Sequence, residues 1–188
     1  SRSLMSGLNT AKSICLCVTG GVAAYKAAHL ASRLTQANID VHVALTKSAS
    51  NFIGNATFLA LTGNPVTESV FEGNQAPYGG HIELAAKCDI LAVVPATADF
   101  LAKAAQGHAD CIASTVYLAF RGKVFVAPAM NSTMWNHVAT QRNISQLKTD
   151  GVILLDPEDG WLSCRQNGQG RLMDIDRILT ALITAAKE

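Results

Sequence analysis

The stretch Ser13-Ile14-Cys15-Leu16-Cys17-Val18-Thr19-Gly20-Gly21 decides how this chain is read. Its first seven residues form a short, almost wholly apolar run, the pattern of a strand buried on both faces. A glycine pair closes the run. Behind it, over residues 22–36, Val22, Ala27, Leu30, Ala31 and Leu34 recur at helical spacing. Strand, glycine turn and helix make the first half of a βαβ unit. The alternation continues. Strands are predicted at 41–45, 90–94, 124–127 and 152–155, the third stopping at Pro95 and the fourth at Pro128. Helices are expected from near Ala49 and at 81–87, 99–107, 111–120, 136–149 and 174–187. The pattern predicts a single-domain α/β fold of Rossmann or flavodoxin-like type, a doubly wound parallel sheet with helices on both faces. Residues 1–11, small and polar with no apolar signal core, are expected to be a flexible N-terminal tail, and 12–188 the folded domain. Two long stretches, 72–80 and 156–172, read as loops.

Composition narrows the function. Of 188 residues, 49% are apolar, which excludes disorder, and only 15% are charged, which points to surface covered in an oligomer. Lys plus Arg number 15 against 14 Asp plus Glu, so there is no basic footprint for nucleic acid. No apolar run reaches the roughly 18 residues of a membrane-spanning helix. The five cysteines, Cys15, Cys17, Cys88, Cys111 and Cys164, lack paired metal spacing. Cys15 and Cys17, two apart on a strand, are expected to face one side as small hydrophobes. A reducing, cytoplasmic setting follows as the default.

Ligands of an open parallel sheet sit beyond the carboxyl ends of its strands. Four such ends carry polar or glycine-rich segments: Thr19-Gly20-Gly21, Thr46-Lys47-Ser48, Pro95-Ala96-Thr97 and Pro128-Ala129-Met130-Asn131. Gly20, Gly21, Val22 and Ala23 would let backbone approach an anion at a helix start. The G-x-G-x-x-G fingerprint is absent, and Thr46 and Ser48 stand where a dinucleotide site would place a carboxylate. One phosphate of a mononucleotide fits this better than NAD. His81, after Gly79-Gly80, is a candidate base or an exposed residue at a helix start. Asn131 either caps the next helix or binds a carboxylate. Cys164, in the second loop, is either incidental or a proton donor. His29, His42, His108 and His137 fit surface positions, and Trp135 and Trp161 fit a pocket or the core.

Three motifs then carry a resemblance. They are Gly79-Gly80-His81-Ile82-Glu83-Leu84, Pro128-Ala129-Met130-Asn131-Ser132-Thr133-Met134-Trp135, and Leu162-Ser163-Cys164 with Gly168-Gln169-Gly170-Arg171. The chain resembles the flavin-containing cysteine decarboxylases over residues 12–183, most of all the phosphopantothenoylcysteine decarboxylases of coenzyme A biosynthesis. The motifs match, in order, the family's catalytic-histidine segment, its P-x-M-N-x-x-M-W signature and its mobile substrate clamp. The resemblance implies FMN, with its phosphate at the Gly21 turn. It implies cofactor contacts at Gly20, Gly21, Val22 and Ala23, at Thr46, Lys47 and Ser48, at Thr97, Ala98, Asp99 and Phe100, and at Ala129. It implies substrate contacts from Met130, Asn131, Ser163 and Arg165, catalysis by His81 and Cys164, no metal, and a homotrimer or an assembly of trimers.

In the chemistry so implied, the thiol of the substrate's terminal cysteine is oxidised by FMN to a thioaldehyde. CO₂ then leaves with its electrons resting on sulfur, and the enethiol is reduced to the saturated product. His81 would be the base or an electrostatic partner, Asn131 would hold the carboxylate, and Cys164 would donate a proton in the final reduction. Two departures stand out. Asp99 replaces an asparagine common in the family, and Arg165 replaces the glycine that usually follows the clamp cysteine. Many bacterial members are fused to a synthetase that makes the substrate, so the chain is expected to be a stand-alone enzyme or an excised domain. Alternatives of related fold are a peptidyl-cysteine decarboxylase, a flavin-binding regulatory subunit and a flavin prenyltransferase-like protein.

Overall fold

The computed structural model describes residues 12–71 and 79–188. Strand β1 (Ser13–Val18) is buried along its whole length, and so is β3 (Ile90–Ala96). Apolar residues on both faces admit such strands only at the centre of a parallel sheet. The sheet adds β2 (Asp40–Leu45), β4 (Lys123–Pro128) and β5 (Ile153–Leu154), in the order β2-β1-β3-β4-β5, every neighbouring pair parallel. This 2-1-3-4-5 order is the flavodoxin-like winding, with its switch point between β1 and β3.

Helices α1 (Ala24–Gln36), α2 (Asn55–Thr62) and α8 (Ile175–Ala186) cover one face. They bury Leu30, Leu34, Phe58, Ile178 and Leu182 against Ile14, Leu16 and Val43. The other face carries α3 (Gly80–Lys87), α4 (Ala98–Gln106), α5 (Ile112–Ala119) and α7 (Val138–Thr149), which meet Cys15, Cys17, Leu91 and Val93. Cys15 and Cys17 do share that face, with their sulfurs 4.0 Å apart. The Cys17 contact and burial together push the Cys15 thiol well up.

Four readings need correction. The stretch 156–172 is not simply loop: β6 (Glu158–Trp161) and β7 (Asn167–Arg171) pair antiparallel within it. The helix expected at 136–149 breaks at His137, whose extended backbone separates α6 (Ser132–Asn136) from α7. His137 Nδ1 accepts from the Ala139 amide and caps α7. The helical stretch from Ala49 is a single 3-10 turn, Ala49–Asn51, and α2 starts only after Gly54. Finally, His42 is 5% exposed, not a surface residue. Its Nε2 lies 2.8 Å from Asp40 Oδ2, and Asn64 Nδ2 donates to Asp40 Oδ1 (2.9 Å) and to the Val41 carbonyl. The tail expected at 1–11, and all of the 72–80 loop except Gly79 and Gly80, lie outside the described residues.

Candidate active site

At the switch point the chain leaves β1 and β3 for helices on opposite faces of the sheet, and the two strand ends are tied together just beyond it. Thr19 Oγ1 donates to the Pro95 carbonyl (2.5 Å) and accepts from the Thr97 amide (3.1 Å). Gly20 then passes so close to the β2 end that a Cβ there would lie 2.4 Å from Ser48 Cβ. Ser48 therefore packs against the turn, and Thr46 Oγ1 accepts from the Ala49 amide to close the 3-10 turn. Gly21 faces open space, with nothing within 4 Å of where its Cβ would stand.

A cavity of about 330 Å³ opens at this point. Its floor is Gly21, Val22 and Ala23 with Pro95, Thr97 and Ala129. Met130 and Asn131 form one wall, Tyr25 and Lys26 of α1 another, and Trp161, Leu162, Ser163, Gly170, Arg171 and Leu172 a third. The volume is at the low end of the roughly 300–1,000 Å³ usual for small-molecule sites.

The helix starts around this rim differ in one decisive respect. α4 is capped, because Thr97 Oγ1 accepts from Phe100 N (3.1 Å), and Asp99 lies in its first turn. α6 is capped by Asn131 Oδ1, which accepts from Met134 N (2.8 Å). α1 has no side-chain cap and no acid in its first turn; Ala24 N and Lys26 N donate to the Gly21 and Ala23 carbonyls, and the positive end of the helix opens onto the cavity. Among the described residues, Lys26 and Arg171 are the charged residues of the lining and no carboxylate joins them. Asp99 is drawn away by Lys103, 3.1 Å distant, and its hydrogen bond is the main cause of the raised Lys103 pKa. The cavity is therefore a site for an anion seated at a helix N-terminus.

The third wall is fixed by missing side chains. A Cβ on Gly170 would stand 2.1 Å from the Met130 carbonyl oxygen, and one on Gly168 would stand 2.2 Å from Ser132 Oγ. β7 thus lies directly on residues 130–132, with Met130 N donating to the Gly170 carbonyl (3.0 Å). At the hairpin tip Arg165 N donates to the Leu162 carbonyl, and Arg165 has φ +64°. That is the left-handed region favouring glycine, which gives a physical reason for the family glycine that this chain lacks.

Of the residues singled out from the sequence, Gly21, Val22, Ala23, Thr97, Ala129, Met130, Asn131 and Ser163 line the cavity. Gly20, Thr46 and Ser48 shape the turn behind it, and Lys47 is exposed beside them. Ala98 and Asp99 lie in the first turn of α4, and the Phe100 ring is buried edge-on to Tyr117. His81, Cys164 and Arg165 do not line the cavity. Cys164 is exposed at the hairpin tip next to Ser163, which does. His81 stands in the first turn of α3, with its ring folded over Gly79 and its Nδ1 buried without a hydrogen-bond partner among the described residues. Trp161 joins the lining while Trp135 is core. Sequence reasoning missed Tyr25 and Lys26, and it quoted Arg171 without giving it a role. Their signal was a bulky and a charged residue in the first turn of a helix beside a suspected anion turn.

An open helix start at the β1/β3 switch of a 2-1-3-4-5 sheet defines a flavodoxin-like, mononucleotide-binding type of protein. More narrowly, the chain belongs to the Flavoprotein family, whose model matches residues 3–187. It is 39% identical over 171 residues to the coenzyme A biosynthesis bifunctional protein CoaBC of Haemophilus influenzae, covering 91% of this chain and 43% of that protein. The chain thus spans about two fifths of the length of this relative. Among solved structures it resembles SpaF, an FMN-dependent cysteine decarboxylase, at TM-score 0.79 and 32% identity, covering 96% of this chain and 99% of that one. It also resembles a PPC decarboxylase mutant complexed with pantothenoylaminoethenethiol, at TM-score 0.84 and 27% identity, covering 95% and 100%.

Proposed function

We propose that this chain is an FMN-dependent decarboxylase acting on the cysteine moiety of 4'-phosphopantothenoylcysteine. The observation that carries the reading is the cavity at the β1/β3 switch, floored by the start of α1 and walled by the Met130–Asn131 segment and the glycine-docked hairpin. These residues fit FMN. The start of α1 suits its phosphate, and among the described residues the lining sets no carboxylate against that anion. Gly21, Val22 and Ala23 would hold the phosphate, with Thr97 and Ala129 along the same floor. Bound there, FMN supplies a two-electron acceptor that takes and later returns a hydride.

The chain's own residues do the rest. Asn131 Oδ1 is committed to the α6 cap, which fixes its amide and leaves Nδ2 to donate to the substrate carboxylate. Capping and carboxylate binding are therefore compatible roles. The hairpin, seated on residues 130–132, covers the substrate and excludes water. Cys164 at its tip would supply a proton from Sγ to the enethiol as it is reduced to the saturated product. The unpartnered Nδ1 of His81 would hold or receive the substrate's proton. Because His81 does not line its own chain's cavity, this reading includes a homotrimer in which a neighbouring copy completes the site. Exposed Val138 (74%), Tyr25 (62%) and Trp161 (62%) support such covered surface. Residues 12–188 would form the flavoprotein domain, and five free cysteines suit a reducing, cytoplasmic setting. Among the described residues no helix is long and apolar enough to cross a membrane.

Purified protein should be yellow and should convert phosphopantothenoylcysteine to phosphopantetheine, read by mass spectrometry. Cys164→Ser should retain the colour and the loss of CO₂ but accumulate the enethiol. Saturated product at the normal rate would remove Cys164 from the proton path. His81→Asn should lower decarboxylation about 10²–10⁴-fold with the colour kept; a colourless variant would make His81 structural. Turnover of cysteine-ended peptides but not of the pantothenoyl substrate would favour a peptidyl-cysteine decarboxylase instead.

A further inference from the structure

Arg171 is the last residue of β7, paired in register with Glu158 at the start of β6. Its side chain lies across the hairpin face at Gly160: a Cβ there would stand 2.9 Å from Nε and 3.0 Å from both Cδ and Cζ. The guanidinium thus rests where any side chain at 160 would have displaced it. Its Nε is buried and has no hydrogen-bond partner among the described residues. Its charge is only partly answered. Glu158 Oε2 lies 3.6 Å from Nη2, but the same carboxylate also pairs with Arg177, so one anion serves two guanidiniums.

Position adds to chemistry. Arg171 belongs both to the cavity wall and to an adjoining groove of about 310 Å³, the two sharing Tyr25, Lys26 and Leu172. The acids of that groove are engaged elsewhere. Asp176 pairs with Arg33 at 3.0 Å, and Asp174 Oδ1 accepts from the Asp176 amide to cap α8. The start of α1 is one place for an anion, and Arg171 with Lys26 marks a second, at the junction of cavity and groove.

We propose that Arg171, held flat by the absence of a side chain at Gly160, is the specificity residue that selects a substrate carrying a phosphate monoester remote from its cysteine end. This assignment rests on the decarboxylase reading above and names the group that binds the substrate's far anion. Arg171 acts on binding, and Gly160 is a positioning residue that acts through it.

The test compares wild type, Arg171→Leu and Gly160→Ala, all loaded with FMN. The backbone at Gly160 lies outside the left-handed region, so alanine there disturbs Arg171 rather than the main chain. Two readouts are taken: KM and kcat for the phosphorylated and dephosphorylated substrates, and calorimetric affinity for phosphopantetheine and pantetheine. Loss of a charge-assisted contact should raise KM for the phosphorylated substrate ~10–100-fold in Arg171→Leu. kcat/KM for the phosphorylated substrate should fall at least about tenfold more than that for the dephosphorylated one, with Gly160→Ala shifted the same way. Equal losses on both substrates would make Arg171 structural and overturn the proposal. So would weakened FMN retention with KM unchanged, which would hand the guanidinium to the cofactor phosphate. Wild type that prefers phosphopantetheine but decarboxylates neither substrate would sink the decarboxylase reading while the anion subsite stands. Wild type that binds both ligands alike would sink the subsite alone.

Discussion

Gly20 and Gly21 are neighbours with opposite jobs. Gly20 is there for contact, since the β2 end presses against it through Ser48; Gly21 is there for openness, beside the first amides of α1. An alanine at 20 must push Ser48 and its backbone aside, an overpacking cost of about 1–3 kcal/mol. Gly20→Ala should therefore lower the melting temperature and weaken FMN binding ~10-fold or more, as small misplacements at a binding turn do. Titration of flavin fluorescence checks this, and an unchanged dissociation constant would refute it. The sequence identifies the glycine pair as an anion turn. It does not say which glycine is crowded, because Ser48 is distant along the chain and only the pairing of β1 with β2 brings the two together. Arg165 is similar: its identity is legible, its left-handed backbone is not.

Among the elements, β1 and β3 were legible because burial on both faces leaves them continuously apolar, while β2, β4 and β5 showed as shorter apolar runs. The β6–β7 hairpin was not. Glu-Asp-Gly-Trp and Asn-Gly-Gln-Gly-Arg show no alternation and little β-propensity, and the pair is held by docking rather than by its own composition. The break at His137 was hidden for a related reason, since a histidine cap leaves helical periodicity almost unbroken on either side. His42 misled because histidine is usually partly exposed, whereas here Asp40, itself held by Asn64, satisfies it on β2. That cluster predicts a pH effect. Burial alone would raise the Asp40 pKa, but hydrogen bonds from Asn64 and His42 outweigh it and hold the carboxyl below its usual range. A depressed folded-state pKa stabilises above the unfolded value of about 3.9 and ceases to do so as pH falls through the lower one. Asp40→Asn should thus melt below wild type at pH 6–7 by no more than roughly 1 kcal/mol of stability. The two melting curves should converge on acidification below about pH 4. A gap that does not change with pH would assign the effect to packing.

For the molecule as a whole, the doubly wound α/β class was legible in the sequence, and the strand order and the completed site were not. The strand order places the cavity at the switch point, while His81 stands in the first turn of a helix on the opposite face of the sheet from α1. A ligand bound only by the folded state adds about 2.7 kcal/mol at 100 times its dissociation constant. For a chain of this length that should raise the melting temperature by roughly 5–11 °C. Thermal scans with and without added FMN test this; no shift at saturation would mean that the native state gains nothing from the flavin. Light scattering at the same concentrations should give three times the mass of one chain. A stable monomer that still decarboxylates would show that one copy carries the whole site.

The hairpin's seat also reaches into how this protein can vary. Gly170 faces the Met130–Asn131 backbone and Gly168 the Ser132 side chain, while Gln169 between them is exposed to solvent. A saturating substitution library sorted for activity should leave a comb along this ribbon, barren at 168 and 170 and permissive at 169. Diversification toward new substrates would then have to pass through the ribbon's tip and its outward teeth.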